Sequence, residues 1–250
     1  MANKYQLVRY LLSVLTWRLK IWPPGEAPIR FVRFSLTHEP PCQAEALVTA
    51  YQQVFKEAAY WAEEWPAEEV LGKLRREVIP PDSFLVTMMG DEKTPVAGFA
   101  WGTKISADAL ATRIAGALGK TADELKEIVA ILARRHISEL IYADEFGILK
   151  RFQNGIEPIR GLLRPWLEWG WHIYHLRTCL FWTKPTSPIY KLASYMGFEP
   201  VFWAKDGGKE IVFLLNRDFR PLLKIAQNMS SHQIVRIMMA VSEKRRKKSN

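Results

Sequence analysis

Two rhythms of apolar and polar positions alternate along this chain, and the rhythm changes where turn residues stand. Runs rich in β-branched and aromatic residues at 29–36, 84–89, 96–101, 140–149 and 175–182 predict strands. The two runs at 84–89 and 96–101 flank the polar stretch Gly90, Asp91, Glu92, Lys93 and Thr94, which predicts an antiparallel hairpin. A second hairpin spans 199–215 and turns at Asp206, Gly207 and Gly208. Helical spacing holds at 43–61, where Ala46, Leu47, Ala50, Tyr51 and Val54 share a face, and again after Pro66. The segment 107–135 predicts a helical pair split at Gly119 and Lys120, with Thr121 and Glu124 spaced as a capping box. Further helices are expected at 157–169 and 187–198, the latter stopped by Gly197. Leu7, Leu11, Val14, Leu15 and Leu19 place one more amphipathic helix near the N-terminus, and two follow the second hairpin.

An antiparallel meander that merges into strand–helix–strand units predicts an α/β fold, with a mixed, mostly antiparallel central sheet between flanking helices. The expected organisation is an N-terminal helix and linker at 1–28, a main domain at 29–217 that carries the 107–135 helical insertion, and C-terminal helices with a basic tail at 218–250. The linker follows from the prolines and glycine of "WPPGEAP".

Composition narrows the function classes. At 48 % hydrophobic and 12 % aromatic residues, the chain has ample material for a packed core. Its formal charge is +9, and Lys244, Arg245, Arg246, Lys247 and Lys248 carry more than half of that excess. Nucleic-acid contact through 244–248 is therefore one reading, and a solvated tail is the other. Cys42 and Cys179 stand far apart without metal-ligand spacing, so neither a zinc site nor a disulfide framework is expected. Arg9 and Arg18 interrupt the apolar N-terminal run, which argues against a membrane span and a signal peptide and for a cytoplasmic protein. Both amphipathic extensions, 7–19 and 222–241, offer surfaces for a homodimer.

Four stretches, in order over about 29–215, resemble the GCN5-related N-acetyltransferases. "LVTMMGDEKTPVAGFAWG" is similar to that family's second and third strands, and "DEFGILKRFQNG" to its strand-four motif. "HLRTCLFWTKPTSPIYKLASYMGFEPV" resembles the strand-five and helix-four motif, and "EAAYWAEEWPAEEV" stands where the first two helices form the acceptor side. The resemblance implies the acyl-CoA N-acyltransferase fold, in which strands four and five splay apart to admit the pantetheine arm of acetyl-CoA. It also implies transfer of acetyl to the amine of a small molecule or protein by direct attack in a ternary complex.

The same resemblance implies a site. Phe146, Gly147 and Ile148 would pair with pantetheine. Backbone N–H groups around Gln153, Asn154, Gly155, Ile156 and Glu157 would hold the pyrophosphate, where donors and helix dipole favour an anion, and Thr183 would complete the cofactor contacts. Glu145 matches the acidic position that serves as general base, with Glu139 a weaker candidate. Strand alternation sends Asp144 to the opposite face. Tyr60, Trp61 and Trp65, with Glu63 and Glu64, suit a cationic amine acceptor.

Departures from the family pattern are concentrated at the cofactor. The loop carries Gly155 alone among the usual glycines, with Glu157 and Pro158 after it. Ala193 occupies the position of the usual acidic tyrosine, and Tyr190, three residues earlier on nearly the same helix face, stands in as the candidate proton donor. A rival reading follows from these departures: a catalytically degenerate fold that senses coenzyme A or serves as a protein-interaction module.

Overall fold

The computed structural model describes residues 31–33, 41–58, 62–80, 82–153, 156–228 and 233. The expected helix at 7–19, the linker and the basic tail lie outside the described residues, as do Tyr60, Trp61, Asn154 and Gly155.

The first strand, β1, is Phe31–Arg33. Two helices follow, α1 at Pro41–Glu57 and α2 at Ala67–Glu77, the latter entered through Pro66. The helix expected to reach 61 stops at Glu57, and Ala62 takes a φ of 49° as the chain turns. A hairpin then joins β2, Ser83–Asp91, to β3, Thr94–Ser106. Next come α3 at Ala107–Leu118, a short 3-10 turn, and α4 at Lys126–Arg134. The split falls at Gly119, which closes α3 at φ 60°, and the Thr121–Glu124 capping box restarts the chain.

Strand β4, Glu139–Ile148, leads into α5, Glu157–Tyr174. This helix runs past its expected end at 169, because His175 adopts the left-handed conformation that closes it, and β5 is accordingly the shorter segment Cys179–Thr183. Helix α6, Pro188–Tyr195, starts on a Ser187 cap, and Gly197 follows its end at φ 84°. A hairpin of β6, Glu199–Asp206, and β7, Lys209–Asn216, turns on Gly207 and Gly208, both at positive φ. Helix α7, Arg220–Asn228, ends the described chain apart from Gln233.

The seven strands form one sheet in the order β1-β2-β3-β4-β5-β7-β6. Every neighbouring pair is antiparallel except β4 and β5. Helices α1 and α2 cover the β2–β3 half of one face, where Leu47, Tyr51, Val70 and Leu74 meet Leu85, Phe99 and Trp101. On that same face α3 and α4 cover Leu140, Tyr142, Leu180 and Phe213. The opposite face carries α5, α6 and α7 over Phe84, Val86, Ile141, Cys179 and Val212. Removing these side chains from water supplies the main drive for the layered arrangement. Among the described residues no helix is long and apolar enough to cross a membrane.

Two irregularities at the centre of the sheet shape the surroundings of β4. The parallel pair β4–β5 is joined only at Ile141–Cys179 and Tyr142–Leu180, although both strands continue beyond. Past those pairs the strands part. Between β3 and β4 the register also breaks: Gly102 pairs with Ala143 and Trp101 with Glu145, so Asp144 is an extra residue on β4. This is a β-bulge, which bends its strand and re-aims side chains. Gly102 is required at the break, because a Cβ there would lie 2.4 Å from the Tyr142 carbonyl oxygen and 3.2 Å from the Ala143 Cα. Those atoms are backbone and cannot swing away.

Gly102→Ala is therefore expected to destabilise the fold by about 1–3 kcal/mol through forced overpacking. Gly116→Ala, on the exposed side of α3 with open space around the missing Cβ, is expected to stabilise it by about 0.5–1 kcal/mol. Urea unfolding of the two variants against the parent checks both signs.

Candidate active site

The bulge decides where the two strand-four carboxylates point. Tyr142 packs toward α3 and α4, and Ala143 packs toward α5, as alternation requires. After the extra residue, Phe146 and Ile148 again pack toward α5, while the missing Cβ of Gly147 would meet Val54 of α1 and Phe99. Asp144 and Glu145 consequently face the same side, between α2 and α3. The expectation that Asp144 turns to the opposite face is corrected: simple alternation fails by one residue where the ladder bulges.

Each carboxylate is met by a cation from a different helix. Arg113 of α3 donates from Nε and Nη2 to Asp144 Oδ1 and Oδ2, both at 2.8 Å, in the bidentate geometry that guanidinium favours. Lys73 of α2 places its Nζ 2.5 Å from Glu145 Oε1 and 3.7 Å from Glu77 Oε1. The Tyr51 hydroxyl of α1 donates to the same Glu145 oxygen at 3.1 Å, and the Trp101 indole N–H donates to Glu77 Oε2 at 2.8 Å. Aromatic rings wall the cluster: Tyr51 stacks near Phe99 and Trp101, Trp65 meets it edge-on at 5.8 Å, and Lys73 Nζ lies 5.4 Å from the Trp65 ring centre.

Burial dominates the electrostatics. The Asp144 side chain is 6 % exposed, that of Glu145 13 % and that of Lys73 14 %. Loss of water raises the Asp144 carboxyl to about 7 against the opposing pull of Arg113, and raises Glu145 against the pull of Lys73. For Lys73, burial favours the neutral amine, but Glu145 and Glu77 outweigh it and hold the ammonium charged. The Tyr51 hydroxyl is pushed well above its ordinary range by burial and then by Glu145, so it remains a donor. Three carboxylates, Glu77, Asp144 and Glu145, thus stand against two cations, Lys73 and Arg113.

The opening between β4 and β5, where a cofactor is expected, is lined by backbone. Leu149 donates its N–H to Ala97 of β3, so Phe146 and Ile148 turn their peptide groups away from β3 toward the opening between β4 and β5. Gln153 Nε2 bonds the Ile148 carbonyl at 2.7 Å and so covers one of those groups. At the start of α5 the N-cap is Ile156, whose side chain offers no acceptor, and Pro158 stands in the first turn. The Glu157 carboxylate turns onto Arg160 at 3.1 Å, which offsets its charge near that helix end. Beside this turn a cavity of about 270 Å³ is lined by Gln53, Glu57, Leu149, Lys150 and Arg151.

Thr183 is buried at the end of β5 next to Lys184, whose Nζ lies 3.1 Å from Glu63 Oε1. That pair ties the loop between α1 and α2 to the far bank of the opening. Tyr190 is half-buried and packs against the cluster on the α5 side, so the structure does not bring it into the Glu145 network. Ala193 is fully buried. Glu139 pairs with Lys104 at 2.9 Å, Glu64 with Lys56 on the surface, and Arg151 with Asp91 at 3.2 Å. Of the aromatics expected on the acceptor side, Trp65 reaches the network, and its buried indole N–H has no partner among the described residues.

Sequence reasoning missed Lys73, Glu77, Tyr51, Trp101 and Arg113. Only the i,i+4 spacing of Lys73 and Glu77 was readable as a pair, and such pairs are usually solvated. Among the described residues, no group of three or more His, Cys, Asp or Glu could hold a metal ion.

Two outcomes follow. Between 3.8 and about 7 the folded chain binds a proton on Asp144 that the unfolded chain has released, so stability falls as pH rises through that window, by up to about 1.4 kcal/mol per pH unit. Denaturant unfolding across the window should show this slope, and Asp144→Asn should reduce it to the same-signed part that the raised Glu145 carboxyl contributes. Lys73→Met leaves Glu145 and Glu77 buried without their ammonium and is expected to cost about 3 kcal/mol, with part regained on adding Glu145→Gln. A double-mutant cycle of unfolding free energies measures the coupling.

No family model matches this chain, and no curated protein matches it in sequence. Solved structures do. FeeM, an N-acyl amino acid synthase from uncultured soil microbes, superposes with a TM-score of 0.54 at 14 % identity, covering 81 % of this chain and 99 % of its own. Arabidopsis thaliana NAA60 in complex with acetyl-CoA superposes with a TM-score of 0.50 at 13 % identity, covering 75 % and 97 %. The parted β4–β5 pair and these superpositions agree: the chain has the acyl-CoA N-acyltransferase fold.

Proposed function

We propose that this chain is an acetyl-CoA-dependent N-acetyltransferase that delivers acetyl to an amine by direct attack in a ternary complex. The observation that carries the reading is Glu145, a buried carboxylate directly before the strand edge that opens between β4 and β5. A coenzyme in that opening would supply the activated thioester. The backbone of Phe146 and Ile148 would hold its pantetheine amides once Gln153 releases the Ile148 carbonyl. The first turn of α5, with Gln153, Asn154, Gly155, Ile156 and Glu157 before and within it, would hold the pyrophosphate at a helix N-terminus. Lys150 and Arg151 add positive charge beside that turn. The Phe146 and Ile148 peptide groups and the first turn of α5 would meet the group with backbone atoms, and the missing glycines would restrict access to them.

Glu145 accepts the proton that the acceptor amine must lose before it can attack. Burial raises its basicity toward neutral pH, which suits that task. Tyr51 holds the carboxylate in place through its hydroxyl. Tyr190 is the candidate donor to the departing thiolate, given Ala193 at the usual tyrosine position. On the acceptor side, the excess of carboxylate over cation and the Trp65 ring favour a positively charged amine, whether of a small molecule or of a protein.

Calorimetric titration with acetyl-CoA, and separately with coenzyme A, tests the reading directly. Micromolar binding that Gly155→Trp abolishes is the expected result. With an acceptor in hand, Glu145→Gln should lower turnover about a hundredfold while cofactor binding persists. Absence of binding at millimolar cofactor would overturn the enzyme assignment and leave a fold reused as an interaction module.

A further inference from the structure

The contact between Lys73 and Glu145 reproduces, within one chain, the contact that an acceptor amine must make with its base. A primary amine on α2 sits 2.5 Å from the carboxylate oxygen, with its side chain 14 % exposed. Glu145 immediately precedes Phe146, whose peptide group faces the opening between β4 and β5. The carboxylate through which a substrate amine would be deprotonated is therefore already occupied by a cation of the protein itself. We propose that Lys73 is a self-acylation site: its Nζ accepts the acyl group of a bound acyl-CoA thioester, and the modification frees Glu145 for an external amine. The inference rests on the acyltransferase reading above.

The step balances. The Lys73 ammonium passes one proton to Glu145 along their hydrogen bond, and the lone pair so released forms a C–N bond to the acyl carbon. The thioester C–S bond breaks, the second nitrogen proton leaves with the thiolate as free thiol, and Glu145 returns its own proton to water. One thioester and one ammonium become one amide, one thiol and one released proton. Because Glu145 and Glu77 hold the ammonium charged, the neutral amine forms only as Glu145 takes the proton along the 2.5 Å contact, which makes the step dependent on that carboxylate. The Trp65 ring and the Trp101–Glu77 hydrogen bond help hold the Lys73 head group against Glu145 and away from bulk water. The product is a neutral amide, which can no longer pair as a cation with Glu145 or Glu77. Two carboxylates then face the site without the Lys73 charge, which suits the ammonium of an incoming substrate.

The test needs no knowledge of the natural acceptor. The full chain is incubated with acetyl-CoA, and its intact mass and peptide map are followed over time. Coenzyme A binding is measured in parallel by calorimetry. The expected result is one acetyl group per chain, on Lys73, absent in Lys73→Arg and formed about a hundredfold more slowly in Glu145→Gln. A readout independent of catalysis accompanies it: the acetylated chain should melt at a lower temperature than the unmodified one, since Glu145 has lost its cation. If coenzyme A binds but Lys73 stays unmodified, self-acylation is wrong while the acyltransferase reading survives. Acetyl groups spread equally over surface lysines in the parent and in Lys73→Arg would overturn it in the same way. Failure to bind coenzyme A at all removes both.

Discussion

One extra residue in the central strand governs the geometry of this protein. A regular ladder through β3 and β4 would place Asp144 and Glu145 on opposite faces, one toward α1 and α2 and the other toward α5. The bulge at Asp144 puts both on the same face and bends β4, the strand whose far half parts from β5. The bend needs a partner strand that can approach closely, and Gly102 provides it where any Cβ would strike the Tyr142 carbonyl. Removal of the bulge would cost both the paired carboxylates and the parted strand edge, the two features on which the proposed chemistry rests.

Bringing two carboxylates together under helices creates an electrostatic problem that the helices then solve. Surface pairs such as Lys56–Glu64, with side chains 69 % and 80 % exposed, contribute little because water screens them. The pairs at the bulge are different. Lys73 and Arg113 each come from a separate helix, and removing either would leave a carboxylate in a site from which most water has been excluded. The same packing that holds α2 and α3 against the sheet thus sets the charge state of the candidate base. Tyr51 and Trp101 complete the arrangement, each donating one hydrogen bond to a carboxylate that would otherwise keep an unmet lone pair.

The cofactor side follows a contrasting logic. Peptide groups of Phe146 and Ile148 and the first turn of α5 present backbone atoms whatever side chains the sequence carries, and the proposed cofactor contacts rest on them. What side chains change is access and charge. Glu157 is turned onto Arg160, and Gln153 covers the Ile148 carbonyl, so the proposed pantetheine pairing requires that this edge first be uncovered.

Much of the architecture was legible in the sequence. Period-two runs, the Gly207–Gly208 turn, the Thr121 capping box and the Gly197 stop are local signals, and each acts through the backbone of the residues that carry it. They sufficed for the order of elements and the mixed sheet, and the resemblance of four motifs added Glu145 as the candidate base. Element ends were less legible: α5 continues to Tyr174 because His175 can adopt a left-handed conformation, which no periodicity announces. The site's electrostatics could not be read at all. Whether Asp144 faces Glu145 depends on a one-residue shift between two strands. Which cations meet them depends on where α2 and α3 land on the sheet. Those are distances between residues such as Lys73 and Glu145, far apart in the chain and 2.5 Å apart in space. Local propensities carry no term for such a contact; only close packing of the whole sheet against its helices brings it about.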